Sequence, residues 1–332
     1  MPPEMMQAVW YSENGEAAAV LQHGEAPMPR VGGGEVLVRL SASGVNPSDV
    51  KSRRGSRGMS FDKVIPHSDG AGIVKAVGSG VNPSMIGSRV YVRNGQWGRA
   101  FGTAASYIAL PVGLVHPLPD SVSFEVGAAL GIPALTAAYA VLKDGPVADR
   151  NVLIHGGGGT VANLAIQIAV DSGARVIAST GDMSKGEMIT GAGAAAVVDY
   201  RDENMVARVI EAADGQPVSR IIDAECGQNL ASSIDIISPK GFIVGYGSVL
   251  NPDPELPFMK MMFKNAALTS ILVYLLEEDE AAAYAAIVND MLEREALSVP
   301  IAEILPLSEA VRAHEMVEAG DKRGSVVLSI DA

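Results

Sequence analysis

The chain has a single cysteine, Cys226. No disulfide framework can form within it, and no multi-cysteine zinc site is possible. Positive charge is also scarce: 25 Lys and Arg face 38 Asp and Glu, a formal net charge of −13. That balance argues against nonspecific binding to nucleic acid or to an anionic membrane. Long apolar runs are missing as well. The longest strongly apolar stretch lies around Ala266 to Leu276, too short to span a bilayer. Met1 to Gly15 lacks the order of a signal peptide, so the expected location is cytoplasmic. Charged residues make up 19% and hydrophobic residues 48%, which suits a large core and not disorder. At 332 residues there is room for two domains of ordinary size.

What is present is organised around residues 151–185. A short apolar run, Val152 to Ile154, leads into four glycines, Gly156 to Gly159. A helical pattern follows, with Val161, Leu164, Ala165, Ile168 and Ala169 on one face, and Gly173 stops it. A second apolar run, Val176 to Ala178, completes a strand–helix–strand unit. Within it, Gly157-x-Gly159-x-x-Ala162 fits the dinucleotide fingerprint. Such a loop turns tightly, lets backbone approach a pyrophosphate, and offers helix N-terminal N–H groups to the phosphate charge. Taken alone the pattern is weak, since a glycine-rich loop can simply turn the chain. The strand–loop–helix–strand order makes it a nucleotide site.

Residues 1–125 read as mostly β: Gln7–Tyr11, Glu35–Ala42, Gly70–Val77 and Arg89–Val92 are separated by Gly, Pro, Asn and Ser turns. Ser123 is placed to cap a helix, and Ala128 to Leu142 has the composition of a buried helix pair. From Val152 to about Ile271, strand and helix patterns alternate, which predicts an α/β, doubly wound parallel sheet of Rossmann type. Its strands are expected at 152–155, 175–179, 196–199, 220–224, 242–246 and 268–273. Glu277 to Leu297 reads as one amphipathic helix. The tail returns to strands at 302–305 and 324–330 around a helix at 307–319, and is expected to rejoin the first domain.

Gly44-Val-Asn-Pro-Ser-Asp49, Ile65-Pro-His-Ser-Asp-Gly-Ala-Gly72, Val77-Gly-Ser-Gly80, Gly131-Ile-Pro-Ala-Leu-Thr136 and Val152-Leu-Ile-His-Gly156 occur in an order and spacing that resembles the medium-chain dehydrogenase/reductase superfamily. The resemblance is to its zeta-crystallin-like quinone oxidoreductases and covers nearly the whole chain. It implies a GroES-like, β-rich catalytic domain of residues 1–125 and 298–332, and a Rossmann dinucleotide-binding domain of residues 126–297. Two departures stand out. Thr160 is a β-branched residue where the family loop has glycine, and the segment Trp97 to Tyr107 replaces a shorter family pattern.

Zinc-dependent members carry a cysteine near Gly44 and Gly-His-Glu near Pro66. Here Ser68 takes the histidine position by spacing, and His67 is one residue out of register. No metal is expected. Without a Lewis acid, oxidation of a simple alcohol is disfavoured, and reduction of an electron-poor acceptor is favoured. At the end of the second Rossmann strand, Thr180 stands where an NAD-preferring site carries an acid. A hydroxyl tolerates a 2′-phosphate, and Lys185 is close enough in sequence to reach one. The expected cofactor is NADPH, although Asp182 keeps NADH open.

The resemblance further implies cofactor contacts from Gly157, Gly158, Gly159, Thr160, Val161, Thr180, Lys185 and Tyr200. Asn46, Thr136, Gly245, Tyr246 and Gly247 are expected around the nicotinamide, and Lys322 or Arg323 is expected to reach in from the tail. Asn46 and Tyr246 are the candidate catalytic residues. Asn46, Arg53 and Tyr107 are the candidate substrate contacts, Arg53 belonging to the one dense basic run, Lys51 to Arg57. Asn46 can donate and accept through one amide, or it can simply turn the chain before Pro47. Tyr246 or Tyr107 would be the proton donor if one is needed. The expected acceptor is a quinone. The alternatives are an enone or alkenal reduced at its C=C bond, or a nucleotide-binding sensor or structural protein with little turnover. An apolar edge strand at 268–276 predicts a homodimer, since such an edge must be paired or covered.

Overall fold

The computed structural model describes residues 5–330. Positions 1–4 and 331–332, which belong to the expected catalytic domain, lie outside the described residues. The chain divides into two compact units. One comprises residues 1–132, 277–293 and 299–332; the other comprises 133–276 and 294–298. Residues 126–132 and the helix Glu278–Glu293 therefore sit with the β-rich unit and not with the Rossmann-type unit in which sequence order would place them. Side-chain and backbone bonds explain this. Ile132 N–H donates to Asp69 at 2.9 Å, and the Asn289 amide donates to Pro117 O at 2.8 Å.

In the β-rich unit, β1 (Met5–Trp10) pairs with β2 (Gln22–Pro27) as an antiparallel ribbon. The long strand β3 (Glu35–Val45) is followed by β4 (Asp69–Val77), β5 (Arg89–Val92), β6 (Tyr107–Pro111) and β7 (Val115–Pro117). Between β3 and β4 runs the helix Pro47–Arg54. Asn46 stands at its N-cap, proline opens its first turn, and Gly55 at φ 102° closes it. The β3–β4 register sets Gly44 opposite Asp69.

The second unit holds β8 (Asn151–Ile154), β9 (Arg175–Thr180), β10 (Ala196–Asp199), β11 (Val218–Asp223), β12 (Ile237–Gly245) and β13 (Ala267–Ser270). All neighbours are parallel, in the order β10-β9-β8-β11-β12-β13. This is the doubly wound order of a dinucleotide-binding fold, and the α/β Rossmann expectation holds. The expected edge strand is shorter than 268–276. It ends at Ser270, because Val273–Leu275 form a turn of 3₁₀ helix. Back in the first unit, β14 (Ile301–Pro306) and β15 (Ser325–Ser329) complete the sheet β14-β15-β3-β4-β5-β7, with β6 on the other part of β3. Val36, Val38 and Leu40, spaced by two along β3, all fall in its core.

That core also encloses a polar pair. His67 has φ 76° and is fully buried. Its Nδ1 lies 2.9 Å from Ser43 Oγ, and its Nε2 lies 2.9 Å from His314 Nε2. One imidazole must donate and the other accept, so at least the accepting ring is neutral. Burial, reinforced by His314, holds His67 well below its ordinary value of 6.5. Burial, followed by Arg53, holds His314 down at about 3. The unfolded chain takes up protons at these sites below about pH 6.5 and the native chain does not, so their contribution to stability is present above that pH and lost as pH falls. Tm should drop progressively below pH 6.5, and more gently in His314→Gln. Parallel Tm–pH curves for the two proteins would refute this.

Candidate active site

The glycine loop is set by its neighbours. β8 ends at Ile154, and His155 is buried with Nδ1 2.7 Å from Ser179 Oγ. Gly156 has φ 71°, a left-handed conformation open to glycine, and this turns the chain back over β9. Gly157 N–H then donates to Ser179 O at 2.8 Å. Gly159 caps the helix Thr160–Asp171 with no side chain to accept from its first turn. The N-terminal N–H groups there suit an anion. Thr160 Oγ1, buried without a hydrogen-bond partner, adds a donor at the same helix end, beside Val161.

The ends of β9 and β10 meet this loop. Thr180 is buried; its hydroxyl accepts from Asp182 N–H at 3.1 Å and donates to Asp182 O at 3.3 Å. The Asp182 carboxylate accepts from Ser184 N–H at 3.0 Å. The Lys185 stem crosses Gly158 so closely that a Cβ at 158 would stand 2.5 Å from Lys185 Cδ. Tyr200 packs on Gly181 in the same way, its hydroxyl 2.3 Å from where a Cβ would be. The structure thus brings together Gly157, Gly158, Gly159, Thr160, Thr180, Lys185 and Tyr200, residues spread over 44 positions from 157 to 200.

At the ends of β11 and β12, Tyr246 N–H donates to Asp223 O at 3.0 Å. Gly247 is confined, since a Cβ there would lie 2.5 Å from Ala224 O. Gly245, Tyr246, Gly247 and Ser248 line a cavity of about 490 Å³ together with Cys226 and Ser270. Neither Cys226 nor Ser270 was expected there; the parallel register of β12 on β13 brings in Ser270, and Cys226 N–H donates to Gly247 O at 3.0 Å. Burial, then Asp223 and Glu225, push the Tyr246 phenol above the usual range. A hydroxyl that holds its proton so tightly is a poor general acid near neutral pH. Thr136 is buried in the helix Pro133–Leu142 of the same unit.

In the β-rich unit, Asn46 Nδ2 donates to Asp69 Oδ2 at 2.8 Å, and that oxygen also takes Ile132 N–H. Asn46 N–H donates to Asp49 at 2.8 Å. Asp69 is fully buried and its Oδ1 has no partner. Burial drives its pKa well above the carboxylate range, and the two N–H donors offset this only in part. Asp69 was missed in the sequence. The signal was there in Pro66-His-Ser-Asp69, but only the β3–β4 register shows that it faces Asn46.

Two expected contacts fall elsewhere. Arg53 is fully buried, bonded to Gly15 O and to the Glu318 carboxylate, so it is a structural ion pair and not a substrate contact. Tyr107 pairs with Arg39, six residues before Val45 on β3, on the order of 20 Å along the strand, and packs on the hydrophobic core. The structure does not bring it to Asn46. Arg323 is exposed in the loop before β15.

Residues 32–120 match the family model for the alcohol dehydrogenase GroES-like domain, and residues 160–289 match that for zinc-binding dehydrogenases. A quinone oxidoreductase of Sus scrofa is 28% identical over 330 residues, covering 98% of both chains. The structure of a mycobacterial quinone oxidoreductase superposes with a TM-score of 0.89 at 30% identity, over 98% of this chain and 99% of that one. The chain belongs to the medium-chain dehydrogenase/reductase superfamily, in its quinone oxidoreductase branch. The Escherichia coli quinone oxidoreductase complexed with NADPH is likewise similar, with a TM-score of 0.87, 26% identity, and coverage of 97% and 99%.

A zinc ion, implied by the name of one of the superfamily's models, does not fit the residues present. Gly44 offers no donor, and a Cβ there would stand 2.0 Å from Ala128 O. Ser68 is buried, His67 is engaged with Ser43 and His314, and Asp69 Oδ2 is spent on two N–H groups. Among the described residues there is no group of three or more His, Cys, Asp or Glu able to hold a metal.

A dinucleotide fits the glycine loop of this medium-chain reductase, and the Lys185 stem lies against Gly158 of that loop. Lys185→Ala should raise the Kd for NADPH about tenfold, on the order of 1.4 kcal/mol, with little change for NADH. Equal weakening of both cofactors in a titration would remove Lys185 from the phosphate site.

Proposed function

We propose that this chain is an NADPH-dependent quinone reductase that works without zinc. The observation that carries the reading is the second Rossmann strand's end. Thr180 and Lys185 flank the glycine loop there, and the Asp182 carboxylate is turned onto its own Ser184 N–H. When bound, NADPH supplies the hydride. Gly157 to Thr160 would hold the pyrophosphate on backbone N–H groups, and Tyr200 would cover the adenosine. Thr136, Gly245, Tyr246, Gly247 and Val161 are the contacts we assign to the rest of the dinucleotide, and Arg323 is a candidate contact from the tail.

Asn46 is the polar group we assign to the reacting end. Asp69 takes one N–H of its amide, and the capping box with Asp49 engages the same side chain, so the plane of the amide is fixed where it would meet a carboxamide or a substrate carbonyl. The chain's main contribution is then orientation of acceptor and nicotinamide. A quinone needs no dedicated acid, because its reduced oxygens take protons from water. An enone needs a donor near its α-carbon, and the tightly held Tyr246 proton disfavours that alternative.

The reading extends to a cytoplasmic homodimer. Among the described residues no helix is long and apolar enough to cross a membrane. β13 pairs only with β12 among the described strands. Beside it Phe263 is 78% exposed and Leu275 67% exposed. A strand edge and apolar surface of this kind call for a second copy.

Two measurements test the proposal. NADPH oxidation against a panel of quinones and enones should show turnover with quinones, and Asn46→Ala should lower kcat at least tenfold in protein that remains folded at the assay temperature. Reduction of enones only, or of nothing, would sink the assignment, and an unchanged kcat in Asn46→Ala would remove that residue. Light scattering should give twice the 34.4 kDa chain mass, and Phe263→Glu should halve it. A monomer at micromolar concentration rules out the dimer.

A further inference from the structure

The dense basic run of the sequence separates into different fates. Arg53 is buried against Glu318, and Arg54 bonds Glu318 and Glu16, each at 2.7 Å. Arg57 takes a third course. Its guanidinium carbon lies 4.5 Å from the centroid of the Trp97 ring, a cation–π contact that fixes the head of a long side chain. Both residues line a cavity of about 360 Å³ whose other walls include Tyr11, Met59, Phe61 and Gln96. That volume is at the lower end of small-molecule pockets, about 300–1,000 Å³.

The lining is chemically specific. Its walls are mostly aromatic and apolar, with Ser52, Ser60 and Gln96 among them, and Arg57 is the one charged side chain in it. No carboxylate lines it, although the chain carries a net charge of −13. Burial, then Asp49, push the Tyr11 phenol up to about 12, so Tyr11 is neutral. The pocket also adjoins the helix that carries Asn46. Ser52 on that helix lines it, Asn46 caps the helix start, and Arg57 follows its C-terminal Gly55. The eight-residue helix is about 12 Å long. Arg57 also acts electrostatically on Asp49 in the helix's first turn, so its charge is felt toward Asn46.

We propose that this pocket is an acceptor subsite for a planar aromatic ring bearing an anionic substituent, with Trp97 and Phe61 as ring contacts and Arg57 as the anion's partner. The inference rests on the reading of the chain as a quinone reductase and names the class of quinone. A flat ring suits the aromatic walls, and a carboxylate or sulfonate matches the guanidinium fork. The unusual segment from Trp97 to Tyr107 thereby acquires a role at its first residue.

The test compares 1,4-naphthoquinone with its 2-sulfonate. The ratio of kcat/KM for the sulfonate to that for the neutral quinone should fall about tenfold in Arg57→Gln and further in Arg57→Glu. Lys51→Gln, an exposed change outside the pocket lining, should leave the ratio as it is. Binding is read separately. The chain has two tryptophans, so in a Trp10→Phe background Trp97 fluorescence reports the pocket alone. Quenching by the sulfonate should be saturable, with a Kd about tenfold weaker in Arg57→Gln. If no quinone is reduced but quenching depends on Arg57, the functional assignment fails and the subsite stands. If quinones are reduced and neither ratio nor Kd responds to Arg57, the subsite fails and the assignment stands. Displacement of the sulfonate by adenosine 2′,5′-bisphosphate would assign Arg57 to the cofactor and overturn the proposal.

Discussion

Asp69 is buried at the head of β4 with one oxygen taking two N–H groups, from Asn46 and from Ile132. The first is the residue that ends β3 and starts a helix; the second lies where the β-rich unit ends before Pro133. Loss of that carboxyl would leave two buried donors unpaired, at about 1–3 kcal/mol each. The constraint reaches further than its bonds. Gly44, paired with Asp69, lies so near Ala128 O that no side chain fits, and Gly131 is tight against Asp69 itself. Superfamily members that use zinc need donors in this region. Here the same space is closed by backbone and by the Asn46–Asp69 pair, so the position that could serve a metal serves an amide.

The arginines next to it show how burial sorts identical charges. In the unfolded chain Arg53, Arg54 and Arg57 are equivalent. Helical spacing turns Arg53 inward, where Gly15 O and Glu318 satisfy it, and leaves Arg54 at the surface with two carboxylates. Gly55, in a left-handed conformation, breaks the helix and releases Arg57 onto Trp97. The third arginine lines a cavity. A substrate contact read from charge density alone fell on Arg53, which is buried, while Arg57 four residues on lines a cavity.

On the Rossmann-type side the organising constraint is close approach. Gly157 and Gly158 leave room for Ala178 and Lys185, and Gly181 leaves room for Tyr200. The contacts join residues 19 to 27 positions apart, and together they build a cradle at the ends of β8, β9 and β10. Thr160, the departure from the family loop, is a hydroxyl with no partner within the protein, at a helix end where N–H groups gather. It adds a donor where the family has glycine.

The sequence by itself determined the α/β class, the parallel sheet and the places of its strands, the glycine loop, and the want of zinc donors. These rest on local pattern: period-two and period-3.6 hydrophobicity, glycines at fixed offsets, and the identity of single residues. Thr180 and Lys185 were legible for the same reason, since they lie a fixed distance past the loop. Tertiary structure alone decided the rest. Asp69 reaches Asn46 through a strand register, Tyr107 is carried away along β3, Glu278–Glu293 joins the β-rich unit, and Cys226 and Ser270 come to line one cavity. Burial then set the chemistry: it neutralised the His67–His314 pair, withheld the Tyr246 proton, and chose among three arginines. Those outcomes depend on which groups lose water and which partners they meet, and neither is written in any single stretch of the chain.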